Sequence, residues 1–142
     1  MIVLLISSLL LTGCVSVKKK FLDNVKAQGI KPLTAPEISK LVSGATMKSS
    51  SGAGEYRGYY SADGEIEVDM YWQRGETNGR GKWKTTEDGL FCEHFGIMVN
   101  EERCYSVYPG KTKGDYTLVQ VSGPFSEYLP DGMVQSYVTP GR

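Results

Sequence analysis

The chain carries no excess of either charge: 16 Lys and Arg balance 16 Asp and Glu over 142 residues. A nucleic-acid binder gathers a basic surplus on one face, and the single run Lys18-Lys19-Lys20 is too short to supply one. No apolar run reaches the ~20 residues of a membrane-spanning helix. Histidine occurs once, as His94. There is no Gly-x-Ser-x-Gly elbow, no His-Glu-x-x-His, no phosphate-binding P-loop, and no Gly-x-Gly-x-x-Gly opening a helix. Ser51-Gly52-Ala53-Gly54 is glycine-rich but leads into a strand, so it presents no helix N-terminus to a phosphate. Without a catalytic motif the chain reads as a non-enzyme, and no cofactor is expected.

What the sequence does contain begins at residue 1. Ile2–Leu11 is apolar and interrupted only by Ser7 and Ser8, and no charge falls in residues 1–14. That is the length of a signal-peptide core rather than of a span. It closes on Leu11-Thr12-Gly13-Cys14, which resembles the lipobox of bacterial lipoproteins. The resemblance covers only the N-terminus and implies cleavage after residue 13, lipidation of Cys14 with palmitate-type chains, and a membrane-anchored location in the bacterial cell envelope. A basic stretch before the apolar core, usual in such signals, is missing here. Val15 rather than an aspartate follows the cysteine, which points to the outer membrane, facing the periplasm. Residues 14–32 read as anchor and tether, and 33–142 as one β-rich domain opened by a helix.

Two cysteines remain, Cys92 and Cys104. In an exported chain they are expected to pair as a disulfide, because FCEHFGIMVNEERCY reads as two strands around a turn near Gly96–Glu102, and in a hairpin centred near residue 98 they lie opposite one another. The competing reading is a metal site, with Glu93, His94, Glu101 and Glu102 as further ligands. Its Cys-x-His spacing departs from structural zinc sites.

The mature part changes periodicity once. Phe21–Gln28 suggests two helical turns. In TAPEISKLVSG, Thr34 and Glu37 form a capping box, Ile38, Leu41 and Val42 form an i, i+3, i+4 stripe, and Gly44 stops the helix. This helix is expected to lay its stripe on the domain or plug one end of it. From Thr46 onward the period is two. Ile66, Val68, Met70 and Trp72 alternate with Glu65, Glu67, Asp69 and Tyr71, and Asp-Gly pairs at 63–64, 88–89 and 131–132 mark turns. FSEYL, between Pro124 and Pro130, reads as a short edge strand. The whole is mainly β: an antiparallel meander or small up-and-down barrel of 7–8 strands, preceded by one or two short helices.

Gly44, Thr46, Tyr59-Tyr60, Asp63-Gly64, the Gly-x-Trp of Gly81 and Trp83, and the two later cysteines are similar to small exported bacterial domains of unknown function. That likeness implies a fold and no activity. A binding role is the leading expectation. Tyr59, Tyr71 and Arg57 form the candidate ligand face, stacking on a glycan or an envelope protein, and Trp72 and Trp83 are expected to fill the core. The alternatives are a purely structural envelope lipoprotein or an inhibitor of an envelope hydrolase, the last by fold analogy alone.

Overall fold

Ser16 accepts a hydrogen bond from the Lys19 amide and caps α1 (Val17–Ala27). A second helix, α2 (Ala35–Val42), starts at Thr34, whose amide and hydroxyl both donate to Glu37 Oε2 at 2.7 Å. Eight strands follow: β1 (Ala45–Ser51), β2 (Gly54–Tyr60), β3 (Glu65–Trp72), β4 (Gly75–Thr85), β5 (Phe91–Phe95), β6 (Val99–Pro109), β7 (Asp115–Ser122) and β8 (Met133–Pro140). The computed structural model describes residues 16–51, 54–72, 75–95, 99–124 and 132–142. The lipobox with Cys14 and the strand expected at FSEYL both lie outside the described residues.

Every strand pairs antiparallel with its sequence neighbour, and β1 pairs with β8, which closes the sheet into a barrel. Closure abolishes free edges and gives each strand one inward and one outward side. The alternation read in β3 is the pattern that wall requires. Ile66, Val68 and Met70 are buried inside, while Glu65 and Glu67 stand exposed outside. The Asp63-Gly64 turn follows the same logic. Gly64 takes φ +90, and Asp63 Oδ1 and Ser61 Oγ accept from the Glu65 amide.

Two expectations need correction. The helix placed at Phe21 starts at Val17, because Ser16 supplies its cap, so the lysine run belongs to α1 rather than to a loose tether. Lys19 pairs with Asp23 at 2.7 Å, one turn on. Phe21 packs edge-on against Tyr108 at 5.4 Å, and Lys18 Nζ donates to the Gln120 carbonyl at 2.9 Å, so α1 is fastened along the β6–β7 wall. The turn expected at Gly96–Glu102 is also shorter: β6 already begins at Val99 and pairs with Phe95. Strands in a closed barrel are tilted and staggered, so pairing runs past the stretch that apolar alternation marks.

The two ends of the barrel differ. At one end β2, β4 and β6 finish, and α2 closes the opening. Ile38 and Val42 are 0% and 1% exposed and join Tyr60, Ile66, Trp83, Phe91, Val107 and Val138 in one core. The Leu33 amide donates to Val107 O and the Gly44 amide to Tyr60 O, which tie both ends of the plug to the rim. The helix is therefore a stopper, the second of the two roles its stripe allowed. Shortening its central side chain opens a cavity that rigid barrel walls cannot collapse. Ile38→Ala is expected to cost about 2–4 kcal/mol, measured as the loss of unfolding free energy in urea.

Candidate functional site

Above the sealed core the inward side chains change character. In β5 the residues facing in are Phe91, Glu93 and Phe95, and in β6 Arg103, Tyr105 and Val107; Glu93 and Arg103 are direct partners across the two strands. A carboxyl and a guanidinium therefore stand inside the barrel, among apolar, aromatic and neutral polar side chains such as Thr77 and Gln120. The Tyr60 hydroxyl donates to Glu93 Oε1. Tyr56 and Tyr60 hydroxyls are joined at 2.6 Å, which makes a chain of three oxygens from β2 to β5. Tyr56 also meets Phe95 edge-on at 6.0 Å. Gly58, between the two tyrosines, leaves room for them: a Cβ there would stand 2.6 Å from the Tyr56 hydroxyl.

The electrostatics follow from that placement. Burial pushes the Glu93 carboxyl up from about 4.5 to about 7; the hydrogen bond from Tyr60 and the charge of Arg103 act the other way without offsetting it. Burial, with Glu93 nearby, holds the Tyr56 and Tyr60 hydroxyls well above the usual range. Tyr105 is raised mainly by burial too, although Arg103 beside it works in the opposite sense. Near neutrality Glu93 alone of this group changes charge. Among the described residues, Arg103 Nε and Gln120 Oε1 are buried without a hydrogen-bond partner. Gln120 stands opposite Tyr105 in register, and its Nε2 donates to Pro124 O at 2.9 Å. A buried unpaired donor or acceptor costs about 1–3 kcal/mol, so both atoms mark places where a polar ligand atom is gained rather than exchanged.

Accessibility separates this region from the core beneath it. Tyr60, Ile66 and Phe91 have no accessible surface, whereas Tyr56, Thr77, Glu93, Phe95, Arg103 and Val134, nearer the end away from α2, each keep some. We call this the open half, for the accessibility of these side chains among the described residues alone.

The candidate ligand face lies elsewhere, on the outside. Tyr59, Arg57 and Tyr71 share the outer side of β2 and β3. Tyr59 is covered by the guanidinium of Arg142, 4.6 Å above its ring, and Arg142 in turn pairs with Glu67 at 2.6 Å. Tyr71 remains 43% exposed. With Tyr137, 45% exposed, it flanks a shallow groove of ≈ 690 Å³ floored by Lys48, Arg57 and Asp115. The acidic row of β3 is likewise outside, with Glu65 3.9 Å from Lys82. Trp83 is in the core, its indole N–H donating to Ser61 O at 2.9 Å. The backbone of Trp72 pairs with Gly54 and Gly75.

Cys92 and Cys104 face each other across β5 and β6 and are bonded as a disulfide. Glu102 lies near enough to form a metal cluster with them, but their sulfurs are spent on each other and Glu102 pairs with Lys84 at 2.8 Å. His94 lies on the same barrel side as Cys92, opposite to Glu93, and pairs in register with Lys82 and Glu102, but it is not a member of the Cys92, Glu102 and Cys104 cluster. Glu101's side chain lies outside the described residues.

Sequence reading passed over Arg103 and Tyr105, and weighed Glu93 only as a candidate metal ligand. The signal that finds them is parity: once Phe91 and Phe95 are inside, Glu93 is inside as well.

Two outcomes follow. The bridge closes a 12-residue separation, so Cys92→Ala with Cys104→Ala is expected to lower unfolding free energy by about 3 kcal/mol, read by urea denaturation of oxidised wild type against the double variant. A carboxyl whose folded value is raised favours the fold fully below its unfolded value, near 4.5, and loses that contribution as pH rises through about 7. The difference between the two limits is roughly 3 kcal/mol. Glu93→Gln keeps an acceptor for Tyr60 and cannot ionise, so its stability relative to wild type is expected to rise between pH 5 and pH 8. Parallel denaturation curves at the two pH values would contradict the burial of this group.

Comparison with protein-family models, curated proteins and solved structures finds no match for this chain.

Proposed function

We propose that the chain is a lipid-anchored bacterial envelope protein, held at the membrane through Cys14 and facing the periplasm, which binds a small ligand in the open half of its barrel and performs no catalysis. The carrying observation is the ionisable pair Glu93 and Arg103, set inside the barrel in the half away from α2. A barrel whose sole task were structural gains nothing from an interior carboxyl. Apolar residues of like volume in the place of buried charges are often neutral or stabilising. Perturbed titratable groups among accessible aromatic walls are instead what binding sites contain. An eight-stranded barrel has room for one small ligand.

The anchoring half of the proposal rests on Leu11-Thr12-Gly13-Cys14 following an uncharged apolar run. The disulfide agrees with an oxidising compartment. Among the described residues no helix is long and apolar enough to cross a membrane. Two or more acyl chains on one cysteine hold a domain stably, since each buried methylene contributes about 0.8 kcal/mol.

A second reading is favoured by one observation, the exposed Tyr71 and Tyr137 flanking the outer groove. Aromatic rings beside Arg57 and Asp115 suit the stacking and hydrogen bonding of an envelope glycan. The barrel site is preferred because Arg103 Nε and Gln120 Oε1 are buried there without a partner among the described residues, whereas Lys48, Arg57, Tyr71 and Tyr137 of the groove are exposed.

Metabolic labelling with palmitate is expected to mark the wild type and not Cys14→Ser. Native mass spectrometry of the full chain extracted from envelopes is expected to show a small-molecule adduct. Thr77→Trp, which places an indole in the open half, should lose that adduct while keeping cooperative thermal unfolding. Survival of the adduct in Thr77→Trp, with its loss in Tyr71→Ala, would transfer the function to the outer groove.

A further inference from the structure

Six neighbouring strands each contribute one outward residue to a single row around the barrel. In register the row runs Asp115, Tyr137, Lys48, Arg57, Asp69 and Asn78, from β7 through β8 and β1 to β4. At its centre two cations, Lys48 and Arg57, stand directly opposite one another. Like charges in that position destabilise a sheet. A carboxylate close at hand would offset the cost, but neither cation forms an ion pair among the described residues. Asp69 is the other cross-strand partner of Arg57. With the Asn78 amide turned to donate, its nitrogen lies 3.1 Å from Asp69 Oδ1, so that carboxylate is engaged away from the arginine.

Aromatic rings flank the two cations. Tyr137 stands on β8 and Tyr71 on β3, both exposed. Three strand spacings separate β8 from β3, about 14 Å along the wall. The Tyr137 ring is seated against Gly114, φ +96, where an added Cβ would stand 2.6 Å from its Cε2. The turn that carries this glycine is itself tied down. The Gly110 amide donates to Asp115 O at 2.7 Å, and the Val138 amide to Gly114 O at 2.8 Å. One side of the groove is therefore a fixed aromatic platform beside two uncompensated cations. The adjoining groove over β2, β3 and β4 offers no such surface, since Arg142 covers Tyr59 and pairs with Glu67.

The lining selects among ligands. An exposed tyrosine presents a ring face on which a sugar ring stacks. Two adjacent cations receive an anionic substituent, the guanidinium bidentately. Glu55 and Asp115, also in the groove, accept hydrogen bonds from sugar hydroxyls. These carboxylates limit the charge that the substituent can carry. A phosphate brings about −1.5 to −2 near neutrality and is repelled by both, whereas a carboxylate brings a single charge.

We propose, deepening the groove reading above, that the outer wall across β8, β1, β2 and β3 binds an acidic oligosaccharide. A sugar carboxylate sits between Lys48 and Arg57, and the flanking rings rest on Tyr71 and Tyr137. The two tyrosines are too far apart for one sugar ring to touch both, so the site takes a short oligomer. The attraction acts between exposed groups and weakens with salt.

The test is calorimetric titration of the full chain with trigalacturonate, its methyl ester and a tetraglutamate peptide. Trigalacturonate is expected to bind, severalfold more weakly at about 0.15 M salt than at low ionic strength. Tyr71→Ala and Tyr137→Ala should each weaken it about fivefold. Lys48→Gln should weaken it about tenfold while leaving the unfolding midpoint unchanged or raised, because the like-charge pair is gone. A lower midpoint in Lys48→Gln would show that the lysine serves the fold and overturn the assignment. Lys26→Gln, on α1, should leave the affinity unchanged; an equal loss there would reduce the binding to overall charge and overturn it too. If the methyl ester binds as well as the acid, the carboxylate assignment fails and the glycan reading stands. If tetraglutamate binds as well, the saccharide assignment fails. If neither saccharide binds, the glycan reading of the groove falls with the proposal.

Discussion

Closing eight antiparallel strands commits every second residue to an interior that only side chains and one helix can fill, and the rest of this molecule follows from how that volume is divided. The sealed end is filled by aromatic and branched side chains around Ile38 and Val42. The other half is given to Tyr56, Glu93 and Arg103, which pack less completely and carry polar atoms. Had α2 entered from the opposite end, its apolar stripe would have met a carboxyl and a guanidinium. The capping box and Gly44 therefore do more than delimit a helix. They set its length and exit so that the chain turns at Gly44, φ +73, straight into β1 beneath the plug.

The disulfide belongs to the same economy from outside. Cys92 and Cys104 occupy the outward side of β5 and β6, and their neighbours in sequence, Glu93 and Arg103, occupy the inward side. A covalent tie between two adjacent strands at that height holds the backbone positions from which the ionisable pair projects. The register of β6 slips next to this tie, between Cys104 and Tyr105, and that of β5 slips between His94 and Phe95. Bulges of this kind re-aim side chains near functional sites. Here they flank the two strands that carry the polar interior.

Much of the architecture was legible because it depends on local periodicity. Ile66 to Met70 announced an inward face, Asp63-Gly64 a tight turn, and Thr34 with Glu37 a helix start. The pairing of Cys92 with Cys104 was equally readable, since hairpin geometry fixes which residues oppose. The interior site was not read, for a physical reason: an isolated carboxyl in FCEHF looks like the polar half of an alternating strand until its two phenylalanines are assigned inward. Tyr59 and Tyr71 show the complementary limit. Parity put them on the outer side, but Tyr59 is covered by Arg142, 83 residues further along the chain and unpredictable from spacing. Longer-range covering contacts leave no local trace.

The fastening of α1 to the barrel wall carries the last consequence. A segment that precedes a domain as an extended linker samples orientations freely. Here the lysine run is helical, capped by Ser16 and bound to Gln120, so the orientation of the barrel is tied to that of α1. Freeing Lys18 from the Gln120 carbonyl removes one such fastening while Phe21 on Tyr108 retains another. The N-terminal helix and the polar interior thus share one wall: α1 runs along β6 and β7, the strands that carry Arg103, Tyr105 and Gln120.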